Sequence, residues 1–176
     1  MSFSSEMESV PFVDIELRPV EPADTPFLIQ LYASTRADEL GLVPWSVEQK
    51  NAFILHQFQA QQQHYRKKYP GASHDIVLRG DRGVGQMYIA RLPAKIHIVD
   101  ISIVPAERNR GLGTYLTRRL MEESQRAAKP LTIYVESFNP SARLFQRLGF
   151  VTKDEQGVHV LMEWSAKPSE RLVRDE

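Results

Sequence analysis

The sequence predicts a single mixed α/β domain, with helices on both faces of a mixed sheet. Two apolar runs, Ile96–Val104 and Leu131–Val135, have the composition of strands that are buried on both faces. Segments with helical spacing separate the strand-like segments, and 176 residues with 42% hydrophobic content are typical of one domain. The predicted order of elements is β-α-α-β-β-β-α-β-α-β.

The N-terminal elements follow from alternation and capping signals. Val13–Arg18 alternates apolar and polar residues, which predicts a half-buried strand. Asp24 or Thr25 can then cap a helix that has a proline in its first turn and runs to about Leu40. A Ser-x-x-Gln capping box at Ser46 predicts a second long helix.

The remaining elements are bounded by glycine and proline. A turn with two glycines separates Ile76–Leu78 from Gln86–Ala90, which predicts a hairpin. Helical spacing then covers residues 111–128 and 141–148, and a last strand covers Val158–Met162. We expect a folded domain over residues 12–164 and disorder in the polar segments 1–11 and 165–176.

Composition excludes several classes of protein. Twenty-two basic and twenty-two acidic residues cancel, which argues against obligate nucleic-acid binding. The absence of cysteine excludes disulfide scaffolds and thiol nucleophiles, and the five histidines show no metal-binding spacing, so we predict no metal. No apolar run reaches the roughly 20 residues of a membrane span, and the first residues do not resemble a signal peptide. These observations predict a cytoplasmic protein without a membrane partner.

The segment Ile103–Leu116 combines a strand end, a short loop, a Gly-x-Gly pair and a helix start. Unpaired N–H groups at a helix N-terminus attract anions, and Gly111 and Gly113 allow the backbone to approach a ligand closely. Arg108 and Arg110 add positive charge. The pattern predicts a phosphate or pyrophosphate site, although a plain turn would give the same glycines.

A second informative segment follows the second apolar strand. That strand ends at Glu136, and Asn139 can cap the short helix that ends in Gly149-Phe150. The side-chain amide of Asn139 can also hydrogen-bond a ligand that lies between the two strands.

Together, these two segments resemble the GNAT superfamily of N-acetyltransferases. Arg108, Gly111 and Gly113 occupy the fixed places of its Gln/Arg-x-x-Gly-x-Gly/Ala signature, and the order of elements matches over nearly the whole domain. The resemblance implies acetyl coenzyme A as the donor and a primary amine of a small molecule or protein as the acceptor.

The resemblance also implies positions for the ligands. The pyrophosphate would rest on the loop and first helical turn formed by Arg108, Asn109, Arg110, Gly111, Leu112, Gly113, Thr114 and Tyr115. The pantetheine arm would bond the main chain of Ser102, Ile103 and Val104, with Asn139 and Phe145 beside it. Arg36, Glu39 and Trp45 would line the acceptor pocket.

Three residues are candidates for the base that takes the proton of the amine. Asp100 lies inside an apolar strand, where burial raises the pKa of a carboxyl group. Glu136 stands at the end of the next strand, and His97 begins the first one, where some family members carry a glutamate base. Each of the three also has a structural alternative as a buried or solvated strand residue.

Phe145 departs from the family pattern, which often has a tyrosine acid at this position. Tyr134 on the adjacent strand is a candidate substitute, and the thiolate of coenzyme A can also leave without a full proton transfer. The departure keeps a second function open, that of a coenzyme A-binding sensor or interaction module, and a nucleotide-binding protein is a third. Members of the superfamily often dimerise, and an exposed C-terminal strand with Trp164 is a candidate interface for a homodimer.

Overall fold

A seven-stranded mixed sheet organises residues 12–166, which are the residues that the computed structural model describes. The strands are, in chain order, β1 (Ile15–Pro19), β2 (Ser73–Arg79), β3 (Arg82–Arg91), β4 (Ile96–Ile103), β5 (Leu131–Glu136), β6 (Val151–Gln156) and β7 (His159–Trp164). Across the sheet they lie in the order β1-β2-β3-β4-β5-β7-β6. The predicted mixed α/β class is confirmed.

Within the described residues, five helices cover the two faces of this sheet. They are α1 (Thr25–Thr35), α2 (Ala37–Gly41), α3 (Val47–Lys68), α4 (Leu112–Ala127) and α5 (Ser141–Arg147). Short 3-10 turns precede α1 at Pro22–Asp24 and α4 at Pro105–Glu107. The capping box before α3 forms as predicted, because the Ser46 hydroxyl accepts from the Gln49 N–H and the Gln49 side chain accepts from the Ser46 N–H.

Each face of the sheet is covered by its own hydrophobic cluster. On one face, Leu112, Leu116 and Leu120 of α4 pack with Phe145 of α5 against the central strands. On the other face, α1 and α3 pack against Ile76 through Leu28, Tyr32, Ile54 and Phe58. Because strand side chains alternate between faces, neighbouring residues of β4 and β5 point into different surroundings.

The structure adds one strand and one helix break to the predicted order. All six residues of β6 are exposed, so this edge strand has no apolar alternation that could reveal it in the sequence. The predicted first helix is divided between α1 and α2 at Arg36. There the hydroxyls of Ser34 and Thr35 donate to the carbonyls three residues earlier at 2.6 and 2.7 Å, which competes with continued α-helical bonding.

The expectation of an exposed C-terminal strand is wrong. β7 lies between β5 and β6, and Trp164 is half-buried against the hydrophobic cluster and beside Gly149. The segments expected to be disordered, 1–11 and 165–176, lie outside the described residues except for residues 165 and 166. Within residues 12–166, the helices are too short or too polar to cross a membrane.

Candidate active site

The two central parallel strands separate part-way along their length. β4 pairs with β5 only from Ile96–Ile98 to Leu131–Ile133. A bulge follows directly, because Tyr88 and Ile89 of β3 face Asp100 and Ile98, which leaves Val99 without a partner on β3. From this bulge onward, β4 pairs with β3 alone among the described strands, and a gap opens toward β5.

The register decides which main-chain groups face the gap. The N–H of Val104 donates to the carbonyl of Val84 on β3 at 2.9 Å. Hydrogen-bonded pairs alternate along an antiparallel ladder, so Ser102 and Val104 turn their main chains to β3, whereas Ile101 and Ile103 turn theirs to the gap. Of the three predicted pantetheine contacts, Ser102, Ile103 and Val104, only Ile103 therefore offers its main chain there.

The gap ends at a loop rich in unpaired amides, which we call the anion loop (residues 105–114). From residue 109 to residue 114, the backbone N–H groups have no backbone acceptor in the part of the chain that the structure describes. Asn109 and Gly111 have positive φ values of 58° and 86°, and Gly111 precedes α4 without a side-chain cap. Such consecutive free amides at a helix start form an anion site.

A buried carboxylate fixes the start of the anion loop. The carboxylate of Glu107 accepts hydrogen bonds from Arg79 at 3.2 Å and Arg82 at 2.7 Å, and its side chain is only 6% exposed. Phe12 stacks on Tyr115 with ring centroids 4.8 Å apart and lies next to Gly111. The loop is thus attached to the β2–β3 hairpin and to the segment before β1.

The signature arginine is engaged within the protein. The Nε of Arg108 donates to the carbonyl of Ile103 at 2.9 Å, and one terminal nitrogen donates to the hydroxyl of Ser34 at 2.9 Å. Arg108 therefore ties the end of β4 to α1, while Arg110 is exposed. The side chain of Leu112 is buried in the core, so this residue can contribute only its amide to a ligand.

All four predicted catalytic residues lie on one face of the sheet. Ile98, Ile101, Ile133 and Val135 point to the α4 cluster, so His97 and Asp100 on β4 and Tyr134 and Glu136 on β5 point to the α3 side. We call these four residues the catalytic face. They flank the point where β4 and β5 separate.

Asp100 belongs to a chain of polar side chains that crosses three strands. Its carboxylate accepts from the amide nitrogen of Gln86 at 2.6 Å and from the hydroxyl of Ser102 at 3.0 Å. The amide oxygen of Gln86 lies 2.7 Å from Nε2 of His74, so a neutral His74 with its proton on Nε2 completes the chain. Burial raises the pKa of Asp100, and these hydrogen bonds offset only part of that rise.

His97 occupies the paired, closed end of the same face. Its Nδ1 lies 2.8 Å from the Thr132 hydroxyl, and its ring packs edge-on against Tyr134. Burial, together with the charges of Lys95 and Lys68, lowers the pKa of His97 to about 4. The imidazole is therefore neutral at physiological pH and a weak proton acceptor.

The chain has the sequence signature of a known family. A model described as the Acetyltransferase (GNAT) family matches residues 33–150, which is more than half of the chain. The chain belongs to the GNAT family. No curated protein matches the sequence.

Solved structures of other acetyltransferases have the same fold. The PaiA N-acetyltransferase of Thermoplasma acidophilum, solved with coenzyme A, is 16% identical, with a TM-score of 0.66 over 86% of this chain and 99% of that one. An acetyltransferase of Thermus thermophilus is 19% identical, with a TM-score of 0.64 over 88% and 99%. A GNAT acetyltransferase of Elizabethkingia anophelis, solved with acetyl-CoA, is 15% identical, with a TM-score of 0.54 over 88% and 99%.

Two residues of the second GNAT segment have clear structural roles in this chain. The side-chain oxygen of Asn139 accepts from the Ser141 N–H at 2.9 Å, so Asn139 caps α5 as predicted. Phe145 is 4% exposed and packs edge-on against Phe150, with ring centroids 5.2 Å apart. Its place in the core leaves little surface for the predicted contact with pantetheine.

The predicted acceptor wall lies on α2, at its N-cap and in the loop before α3. Arg36 and Glu39 form an exposed ion pair at 3.0 Å, and the Arg36 guanidinium lies over the Tyr32 ring. Trp45 is 40% exposed and packs edge-on against Phe53. These contacts hold the wall residues in place and leave the indole partly exposed.

The sequence analysis does not identify Glu107, Gln86 and His74 as residues of the site. Glu107 stands among charged loop residues, and its arginine partners are 25 and 28 residues away, so only the folded chain shows the pairing. The sequence places Gln86 on a strand, and a glutamine inside an otherwise apolar strand is a signal of a buried polar contact. Across residues 12–166, no group of three or more histidine, aspartate or glutamate side chains is arranged to hold a metal ion.

Proposed function

We propose that this GNAT protein transfers an acetyl group from acetyl coenzyme A to a primary amine of a small molecule or peptide. The observation that carries the proposal is the gap between β4 and β5, which leads directly to the free amides of the anion loop. A ligand with an extended polar arm and a pyrophosphate at its end complements that arrangement.

The fit to the donor rests on main-chain groups. In this proposal the arm bonds the main chain of Ile101 and the N–H of Ile103, because the Ile103 carbonyl already accepts from Arg108. The pyrophosphate accepts from the amides of residues 109–114. Arg110 is exposed beside the loop and adds charge. When bound, acetyl coenzyme A supplies an activated acyl carbon: the amine nitrogen bonds to it, the C–S bond breaks, and the sulfur leaves as a thiolate that takes up a proton.

Asp100 is the residue that we propose as the base. It stands directly after the bulge, on the face where the acceptor wall also lies, and burial raises the pKa of its carboxyl group toward the range in which a base is effective. Gln86 and Ser102 hold the carboxylate in place. Glu136, on the opposite side of the gap, is the alternative base.

Tyr134 is the residue that we propose near the leaving sulfur. It lies on β5 on the same face and is 40% exposed, whereas Phe145 is buried and carries no proton to donate. A thiolate leaves without full proton transfer near neutral pH, because the pKa of a free thiol is about 8.5. We therefore expect Tyr134→Phe to change the rate by less than about tenfold.

The experiment measures free thiol release with acetyl coenzyme A over panels of polyamines, amino acids, aminoglycosides and N-terminal peptides. We expect Asp100→Asn to lower kcat/KM about 10²- to 10⁴-fold and to abolish the decline of the rate at low pH. Glu155→Gln, an exposed carboxylate on the edge strand β6, is the matched control and leaves both unchanged. Calorimetry checks that the affinity of each variant for coenzyme A is retained.

Two results would replace parts of this proposal. Loss of rate in Glu136→Gln, with Asp100→Asn active, moves the base to β5. Tight binding of acetyl coenzyme A without transfer to any amine favours the sensor function, for which the buried Phe145 at the acid position is the supporting observation.

A further inference from the structure

A cavity of about 390 Å³ opens between α1, α3 and β2, on the α3 side of the sheet. Its wall includes Glu21 before α1, Leu28 on α1, three residues of α3 (Phe58, Gln62 and Arg66) and His74 on β2. The cavity lies two strands from β4. At about 4.8 Å per strand, the main chain of His74 on the cavity wall lies roughly 10 Å from that of Asp100.

Gln62 is a buried amide that folding alone does not explain. Gln62 as a whole is 8% exposed, and its side-chain nitrogen is fully buried without a hydrogen-bond partner among the described residues. An unpaired buried amide destabilises a fold, because it has lost its hydrogen bonds to water without gaining others. A leucine at this position of α3 would extend the apolar cluster of Leu28 and Phe58, so apolar packing does not account for an amide on the cavity wall.

The charges on the cavity wall are available to a ligand. Arg66 is exposed, and no carboxylate of residues 12–166 lies within 4.0 Å of its guanidinium. The nearest cation to Glu21 is Arg18 at 3.9 Å, and Arg18 is itself engaged by Asp24 at 2.8 Å. The wall therefore presents one unpaired cation, one loosely paired carboxylate and an apolar floor.

We propose that this cavity is a binding site for a small zwitterionic amino acid with an apolar side chain. Its carboxylate bonds Arg66 and the Gln62 amide, its ammonium group pairs with Glu21, and its side chain packs on Leu28 and Phe58. The buried nitrogen is closed off from the cavity, so Gln62 donates to the carboxylate only after its amide flips and brings the nitrogen to the cavity side. The site lies apart from the β4–β5 gap and takes a ligand other than the acetyl acceptor.

Calorimetry with L-leucine as the probe, in the absence of acetyl coenzyme A, tests the site independently of the proposed function. We expect saturable binding of L-leucine and at least tenfold weaker binding of leucinamide, which lacks the carboxylate, and of 4-methylpentanoate, which lacks the ammonium group. No saturable binding of L-leucine to the full chain would overturn the proposal.

Two variants locate the site. Arg66→Gln and Gln62→Leu each weaken L-leucine binding at least tenfold, and Gln62→Leu also melts at the same temperature as the wild type or higher, because it removes the unpaired amide. Lys67→Gln, the neighbouring exposed cation on α3, is the matched control and binds normally. Unchanged affinity in both test variants excludes this cavity, and acetylation of L-leucine that falls tenfold in Arg66→Gln would make it the acceptor pocket instead.

Discussion

The anion loop and the catalytic face are built from different chemical groups, although they meet at the same gap. The anion loop offers backbone amides of consecutive residues, and its shape depends on two positive φ angles and a helix start. The catalytic face offers side chains from β4 and β5, whose properties depend on partners on β3, β2 and α3. Main-chain sites are therefore local in sequence, whereas side-chain sites depend on the tertiary structure.

The two regions also differ in how their charges are paired. In the anion loop, the buried carboxylate of Glu107 is held by two arginines, so its negative charge is compensated. On the catalytic face, Asp100 has only neutral hydrogen-bond partners, and burial raises its pKa. In the proposed function the loop holds the donor and the face supplies the base, and three perturbations can test this contrast in charge pairing.

The largest effect is expected from the closed end of the catalytic face, at His97. In the unfolded chain this histidine takes up a proton below about pH 6.5, whereas in the folded chain it stays neutral down to about pH 4. The free energy of unfolding should therefore fall by about 3 kcal/mol as the pH decreases across this window. Urea titrations at several pH values measure it.

His97→Gln removes the titrating group and keeps a polar side chain next to Thr132. The difference in pH dependence between the wild type and this variant isolates the contribution of His97 from that of the carboxyl groups. If the free energy of unfolding depends on pH equally in the two proteins, burial does not lower the pKa of His97. The catalytic face would then not differ from the anion loop in the way described.

An intermediate effect is expected at Glu107, which anchors the anion loop. Glu107→Ala leaves Arg79 and Arg82 without their shared carboxylate and should lower stability by about 2 kcal/mol, less than for a fully buried pair because Arg82 is 66% exposed. Affinity for coenzyme A should fall more than tenfold as the loop loses its anchor. Thermal melts and calorimetry measure both.

The control for this variant is Glu163→Ala, which breaks the partly exposed ion pair with Lys153 at 3.7 Å at the β6 edge of the sheet. It should cost less than about 1 kcal/mol and leave coenzyme A binding unchanged. If Glu107→Ala binds coenzyme A as the wild type does, the loop does not depend on its side-chain anchor.

The smallest effect on stability is expected at Gly111, where a substitution affects only the backbone conformation. Its φ of 86° is a left-handed conformation that costs an alanine about 1 kcal/mol, while the added Cβ makes only ordinary contact with Phe12 at 3.6 Å. Gly41→Ala, where nothing lies within 4 Å, is the matched control. A loss of coenzyme A affinity in Gly111→Ala alone would show that the amide geometry forms the site; equal affinity in both variants would argue against it.

The sequence by itself determined the local features of this protein. The Gly-x-Gly loop, the capping box before α3, the asparagine cap of α5 and the two apolar strands were all identified from residues within a few positions of one another. Their conformations depend on φ angles, short-range hydrogen bonds and apolar periodicity, which a linear pattern records directly.

Only the tertiary structure decided the features that join distant segments. The edge strand β6 forms because β7 offers it a partner, although its six side chains remain exposed. The contact from Gln86 to Asp100 spans 14 residues, and the contact from Arg108 to Ser34 spans 74. Such contacts depend on strand register and helix packing, and no local pattern of residues encodes which side chains the folded chain brings within hydrogen-bonding distance.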